Sequence, residues 1–75
     1  MMVNKAENLL FDMGFKQFRV RIHGENLARI EVLPEEIKKL MDNSRRIIRE
    51  FNGYGFTYVT VDMKGYRTGS MNEVL

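Results

Sequence analysis

The sequence predicts a small α+β domain of order helix, strand, strand, helix, strand, with a three-stranded mixed sheet and two helices on one face. Three observations predict it. Apolar residues alternate with polar ones at Phe18, Val20 and Ile22, at Ala28, Ile30 and Val32, and at Val59, Val61 and Met63, the period of half-buried strands. They recur instead at spacings of three and four in Ala6, Leu9, Leu10 and Met13, and in Ile37, Leu40, Met41, Ile47, Ile48 and Phe51, which is a helical stripe. Glycine, asparagine or proline stands at each junction between the two periods.

Each element has its own signals. Residues 3–13 read as a helix that Asn4 can cap, with Glu7 three residues on as in a capping box and Gly14 to end it. Residues 17–32 read as a hairpin turning at Gly24, Glu25 and Asn26. Residues 34–52 read as the longest helix, opened by Pro34 in the first turn, where its missing N–H costs nothing. Glu35 and Glu36 then lie at the positive end of the helix dipole and Arg45, Arg46 and Arg49 toward the negative end. Residues 56–63 form a third strand with Val59, Val61 and Met63 inward, and 64–75 are an irregular tail rich in turn residues. The whole of 1–75 is read as one domain.

Two segments of eleven residues, GFKQFRVRIHG and GFTYVTVDMKG, repeat a helix–Gly–Phe–strand pattern. Aligned, they place Arg19, Arg21 and His23 in register with Thr60, Asp62 and Lys64. A right-handed crossover makes the third strand parallel to the second. The first strand is expected between the other two, antiparallel to both. Both helices then cover one face, and Arg19, Arg21, His23, Arg29, Glu31, Thr60, Asp62 and Lys64 project from the other.

Composition bounds the function. The chain has 75 residues, 44% of them apolar, and 12 basic against 10 acidic residues for a net charge of +2, a balance too even to signal nucleic acid by bulk charge. It contains no cysteine, which excludes disulfides, thiolate metal sites and a cysteine nucleophile within it. No apolar run approaches a membrane span, and the N-terminus lacks a signal-peptide core, so a cytoplasmic setting is expected.

The open question is what covers the basic face. Water and cross-strand pairing suffice in many antiparallel sheets, with Glu31 and Asp62 available to the arginines. The functional answer is a site for an anion, because the planar guanidinium fork grips carboxylate and phosphate. His23, the single histidine, has no partner for a metal site and fits a surface position beside the turn. Glu31 and Asp62 as an acid–base pair is a weaker possibility. GYRTGS, with Arg67, Thr68 and Ser70, has the composition of an anion cradle but not the spacing of a phosphate loop. Tyr54, Phe56, Tyr58 and Tyr66 suggest base stacking on RNA, although the motif of an RNA-recognition fold is absent.

The ordered set of an R-V-R strand, an H-G turn, A-R-I-E-V-x-P-E-E and a closing D-x-x-G-Y-R-x-G-S-M-N resembles the C-terminal domain of the LarE-type proteins. These are ATP-dependent sacrificial sulfur transferases of the PP-loop superfamily, acting in the synthesis of the nickel-pincer nucleotide cofactor. The resemblance implies an N-terminal catalytic domain whose S-G-G-x-D-S loop binds ATP, with magnesium, and adenylates a substrate carboxylate. It implies sulfur supplied by a cysteine or an iron–sulfur cluster, and assembly into hexamers. By position, Arg19 and Arg21 match the strand associated with substrate phosphate and carboxylate recognition, and Arg67 and Ser70 match the closing motif. This chain has neither S-G-G-x-D-S nor cysteine, so it is expected to hold no cofactor and not to be catalytic alone. The reading is a module of such a system, either an excised domain or a freestanding homologue. It would complete a cavity for a phosphorylated small molecule or dock a PP-loop catalytic domain or chain. An RNA- or nucleotide-binding module and a homo-oligomerisation domain are the alternatives.

Overall fold

The computed structural model describes residues 2–67. Helix α1 (Met2–Asp12) leads into strands β1 (Phe18–His23) and β2 (Leu27–Val32). A 3-10 turn (Pro34–Glu36), helix α2 (Ile37–Asp42) and helix α3 (Ser44–Tyr54) then return the chain to β3 (Tyr58–Val61). The result is the expected α+β domain with a three-stranded mixed sheet, built with three helices.

The strand order is β1-β2-β3, which corrects the expectation that the first strand is central. β2 pairs antiparallel with β1, Val20 opposite Ile30, and parallel with β3, Ala28 opposite Val59. The alternation in β1 fitted an edge as well as a centre, since period two reports faces and not neighbours. The burial does discriminate: Ala28, Ile30 and Val32 of β2 are all buried, whereas Ile22 at the end of β1 is exposed.

The two similar segments flank β2 and close their helices with the same hydrogen bonds. Gly14 N–H reaches Phe11 O and Phe15 N–H reaches Leu10 O; Gly55 N–H reaches Asn52 O and Phe56 N–H reaches Phe51 O. This paired pattern satisfies the last carbonyls of each helix and turns the following phenylalanine inward. Phe15 and Phe56 are both buried, and the Phe51 and Phe56 rings lie 5.6 Å apart. Ala6, Leu9, Leu10, Val20, Ile30, Ile47 and Phe51 complete the core between the helices and the sheet.

Four details differ from the sequence reading. The long helix is divided at Asn43, whose side-chain Nδ2 donates to Lys39 O at 2.8 Å while its own N–H goes to Leu40 O. An asparagine side chain that takes up a helix carbonyl in this way competes with the regular ladder. Asn4 lies inside α1 and does not cap it, and the Glu7 carboxylate accepts the N–H of Val20 at 3.0 Å instead of serving a capping box. Glu36, placed by sequence at the helix dipole, is buried and accepts the N–H of Lys16 at 3.0 Å. Met63 is exposed, because β3 ends at Val61.

After β3 the chain crosses close beneath the end of β2. Gly65, at φ +81°, is buried there, and an added Cβ would lie 2.5 Å from the carbonyl oxygen of Val32 and 3.3 Å from Pro34. Gly65→Ala should therefore lower stability by about 2 kcal/mol or more, read as the midpoint of urea unfolding. Gly53→Ala, in α3 with open space around it, should raise stability by about 0.5–1 kcal/mol in the same measurement.

Candidate functional site: the arginine face

Period two in β1 and β2, with the helices on one side, leaves Arg19, Arg21 and His23 of β1 beside Leu27, Arg29 and Glu31 of β2 on the other. Tyr58 and Thr60 of β3 complete this face, opposite Leu27 and Arg29. At its centre Glu31 is almost fully buried, its side chain retaining 8% of its accessible surface. A carboxylate so placed must be paired. Arg21 Nε donates to Glu31 Oε2 at 3.2 Å, and Arg29 Nη2 donates to the same oxygen at 3.0 Å. Arg29 Nε stands 3.7 Å from Asp62 Oδ2, too far for a hydrogen bond, and is withdrawn from solvent without a hydrogen-bond partner.

The four charges therefore form a chain, Arg21–Glu31–Arg29–Asp62, running from β1 across β2 to the residue that follows β3. Arg19 is the exception. It lies opposite Glu31 in the register, yet it is exposed and has no ion pair among the described residues. Three arginines thus meet two carboxylates on this face, and the surplus charge sits at the β1 edge. Fixed guanidiniums beside a free one make a surface suited to a small anion with several oxygens.

The remaining sequence candidates separate. His23 is exposed at the hairpin end with no close partner among the described residues. Thr60 turns its hydroxyl to donate to Ala28 O at 2.7 Å. Arg67 is half-buried, is not a free cation, and is the last described residue. Thr68 and Ser70, the hydroxyls of the suggested cradle, lie outside the described residues. Tyr54 and Phe56 pack on Phe51 in the core, which removes them as stacking platforms, while Tyr58 remains exposed on the arginine face. Sequence reading undervalued Glu31. Its alternation with Ile30 was visible, but only the central place of β2 makes its burial, and hence its hold on two arginines, unavoidable. Among the described residues no group of three or more His, Asp and Glu is placed to hold a metal, and no helix is long and apolar enough to cross a membrane.

With this geometry in hand, comparison with known proteins narrows the class. No protein-family model matches the chain. It is 41% identical over 75 residues to an uncharacterized protein of Synechocystis, covering 97% of this chain and 28% of that protein. It is 40% identical over 73 residues to a pyridinium-3,5-bisthiocarboxylic acid mononucleotide synthase of Lactiplantibacillus plantarum, covering 97% of this chain and 26% of that one. The chain therefore spans about a quarter of the length of the curated relatives it matches. This is a fragment-level match to a LarE-like protein, across nearly all of the present chain.

The charge chain makes two stability expectations differ. Glu31→Ala strands two arginines and should cost about 1–3 kcal/mol in urea unfolding. Arg19→Ala removes an exposed, unpaired side chain and should change stability by less than about 0.5 kcal/mol.

Proposed function

We propose that this chain is a non-catalytic module of a LarE-like, ATP-dependent sulfur transferase system, and that its arginine face supplies the basic wall of a cavity for a phosphate- or carboxylate-bearing substrate. The observation that carries the reading is the unpaired Arg19 beside Arg21 and Arg29, which Glu31 holds in place. Of Arg19, Arg21 and Arg29, Arg19 alone has no ion pair among the described residues, so it makes the primary contact. Arg21, about one-third exposed at the side chain (38%), keeps N–H groups free beyond the one given to Glu31 and supplies the second. Arg67 and Ser70 are assigned to the same cavity by the family resemblance.

The similarity to the Lactiplantibacillus protein supports the choice of ligand class, since that protein is named for making a pyridinium mononucleotide with two thiocarboxylic acid groups. A mononucleotide carries a phosphate, the group that paired guanidiniums bind best. The chain has no S-G-G-x-D-S loop and no cysteine. ATP, magnesium and the sulfur donor accordingly belong to a PP-loop catalytic domain or chain that works with this module.

The test is an amide chemical-shift titration with pyrophosphate, AMP and nicotinate mononucleotide. Saturable shifts should centre on Arg19, Arg21 and Arg29. Arg19→Ala should weaken binding about tenfold or more, as expected when a charge-assisted hydrogen bond worth ~1.5–3 kcal/mol is lost. His23→Ala should leave it unchanged. Silence at millimolar ligand, or equal losses in both variants, rules the cavity out. Tight binding of a single-stranded oligonucleotide that collapses steeply with added salt would favour the nucleic-acid alternative.

A further inference from the structure

The two edges of the sheet are guarded differently. β1 carries Arg19 and Arg21 among its apolar residues, and Glu7 of α1 occupies the outward N–H of Val20. Charge and cover of this kind discourage an edge from pairing with other chains. β3 has neither feature. Its four residues are Tyr58, Val59, Thr60 and Val61, all uncharged, and among the described residues β2 is its single neighbour in the sheet. Tyr58 and Asp62 donate their N–H groups to Asn26 and Ile30 on the β2 side. By the two-residue repeat, Val59 and Val61 direct theirs away from the sheet.

A second feature lies along the same edge. Met41, Ser44 and Ile48 from the helices and Val59, Val61 and Ile30 from the sheet line an open apolar pocket of about 110 Å³. Met41 and Ile48 belong by spacing to the core stripe, yet they are 54% and 44% exposed, because none of the described residues lies over β3's outer side to cover them. Basic residues adjoin the pocket on α3: Arg45 is one turn from Ile48, Arg49 follows Arg45 on the next turn, and both are exposed without an ion pair among the described residues.

We propose that the open edge of β3 receives an extended segment of another polypeptide as a fourth strand. One of its apolar side chains enters the pocket, and acidic residues beside it meet Arg45 and Arg49. Main-chain bonds to Val59 and Val61 supply pairing, the pocket selects the apolar residue, and the adjoining arginines select the charge. A second copy of this chain fits less well. Its own β3 brings no acidic residue, and a two-fold contact would place the Arg45 and Arg49 rows of both copies along one seam. The inference does not rest on the arginine face, which lies on the opposite side of the sheet.

The experiment titrates the isotope-labelled chain with the acetylated, amidated peptide EEVTVTVEE and with its counterpart KKVTVTVKK. The expected result is saturable shifts at the amides of Val59 and Val61 and the methyls of Met41 and Ile48. The glutamate-flanked peptide should bind at least about tenfold more tightly. Ile48→Glu should reduce that binding about tenfold. The double variant Arg45→Glu, Arg49→Glu, at two exposed positions, provides a check independent of folding: it should reverse the preference between the two peptides. Absence of saturable shifts, equal affinity for both peptides, or shifts confined to Arg19 and Arg21 would overturn the proposal. So would the same Val59 and Ile48 shifts appearing with protein concentration alone, which would mark the edge as a contact between copies.

Discussion

The whole molecule is organised about β2, whose two faces meet opposite environments. Ala28, Ile30 and Val32 lie beneath the helices with no access to water, while Arg29 and Glu31, one residue out of phase, face the other side. A strand bonded on both edges cannot slip by one residue without exchanging these two sets, which would bury an arginine in the core and expose three apolar side chains. The register of β1 and β3 follows from that constraint. So does the burial of Glu31, which the neighbouring strands shield from either side.

A chain of this size has little apolar surface to spend on holding its connections. Backbone hydrogen bonds to carboxylates do part of that work here. Glu7 and Glu36 come from different helical segments, and each accepts a backbone N–H near or within β1, at Val20 and Lys16. They fasten the strand that carries Arg19 and Arg21 from both sides. The repeated Gly–Phe corners do the corresponding work at the helix ends, since each buries one aromatic ring while satisfying helix carbonyls. The basic face is thus presented from a backbone with few ways to move.

The two surfaces of interest differ in physical kind. The arginine face is a network of fixed charges in which Glu31 consumes part of the donor capacity of Arg21 and Arg29 and none of Arg19's. Such a network offers guanidinium donors of the kind that grip carboxylate and phosphate. The β3 edge is a gap in the packing, where the sheet ends before the helices do and leaves Met41 and Ile48 partly uncovered among the described residues. The matched proteins are about four times as long as this chain.

Period and punctuation in the sequence were enough to reveal the α+β class and the two faces of β1 and β2, but not the break at Asn43 or the end of β3 at Val61. Arg19, Arg21, Arg29 and Glu31 were all assignable to one side because side-chain direction in a strand is a local property. Other features were not local. Alternation is the same for an edge strand and a central one, so the order β1-β2-β3 had to come from which helix packs against which strand. The capping roles that suited Glu7 and Glu36 by spacing gave way to strand N–H groups brought near by folding. Ile48 and Met63 carry the period of core residues, but burial needs a partner element, and the sheet ends before it can provide one. Sequence alone determined which residues share a face. Tertiary structure decided which of them are paired, buried or left open, because those properties depend on neighbours distant in the chain.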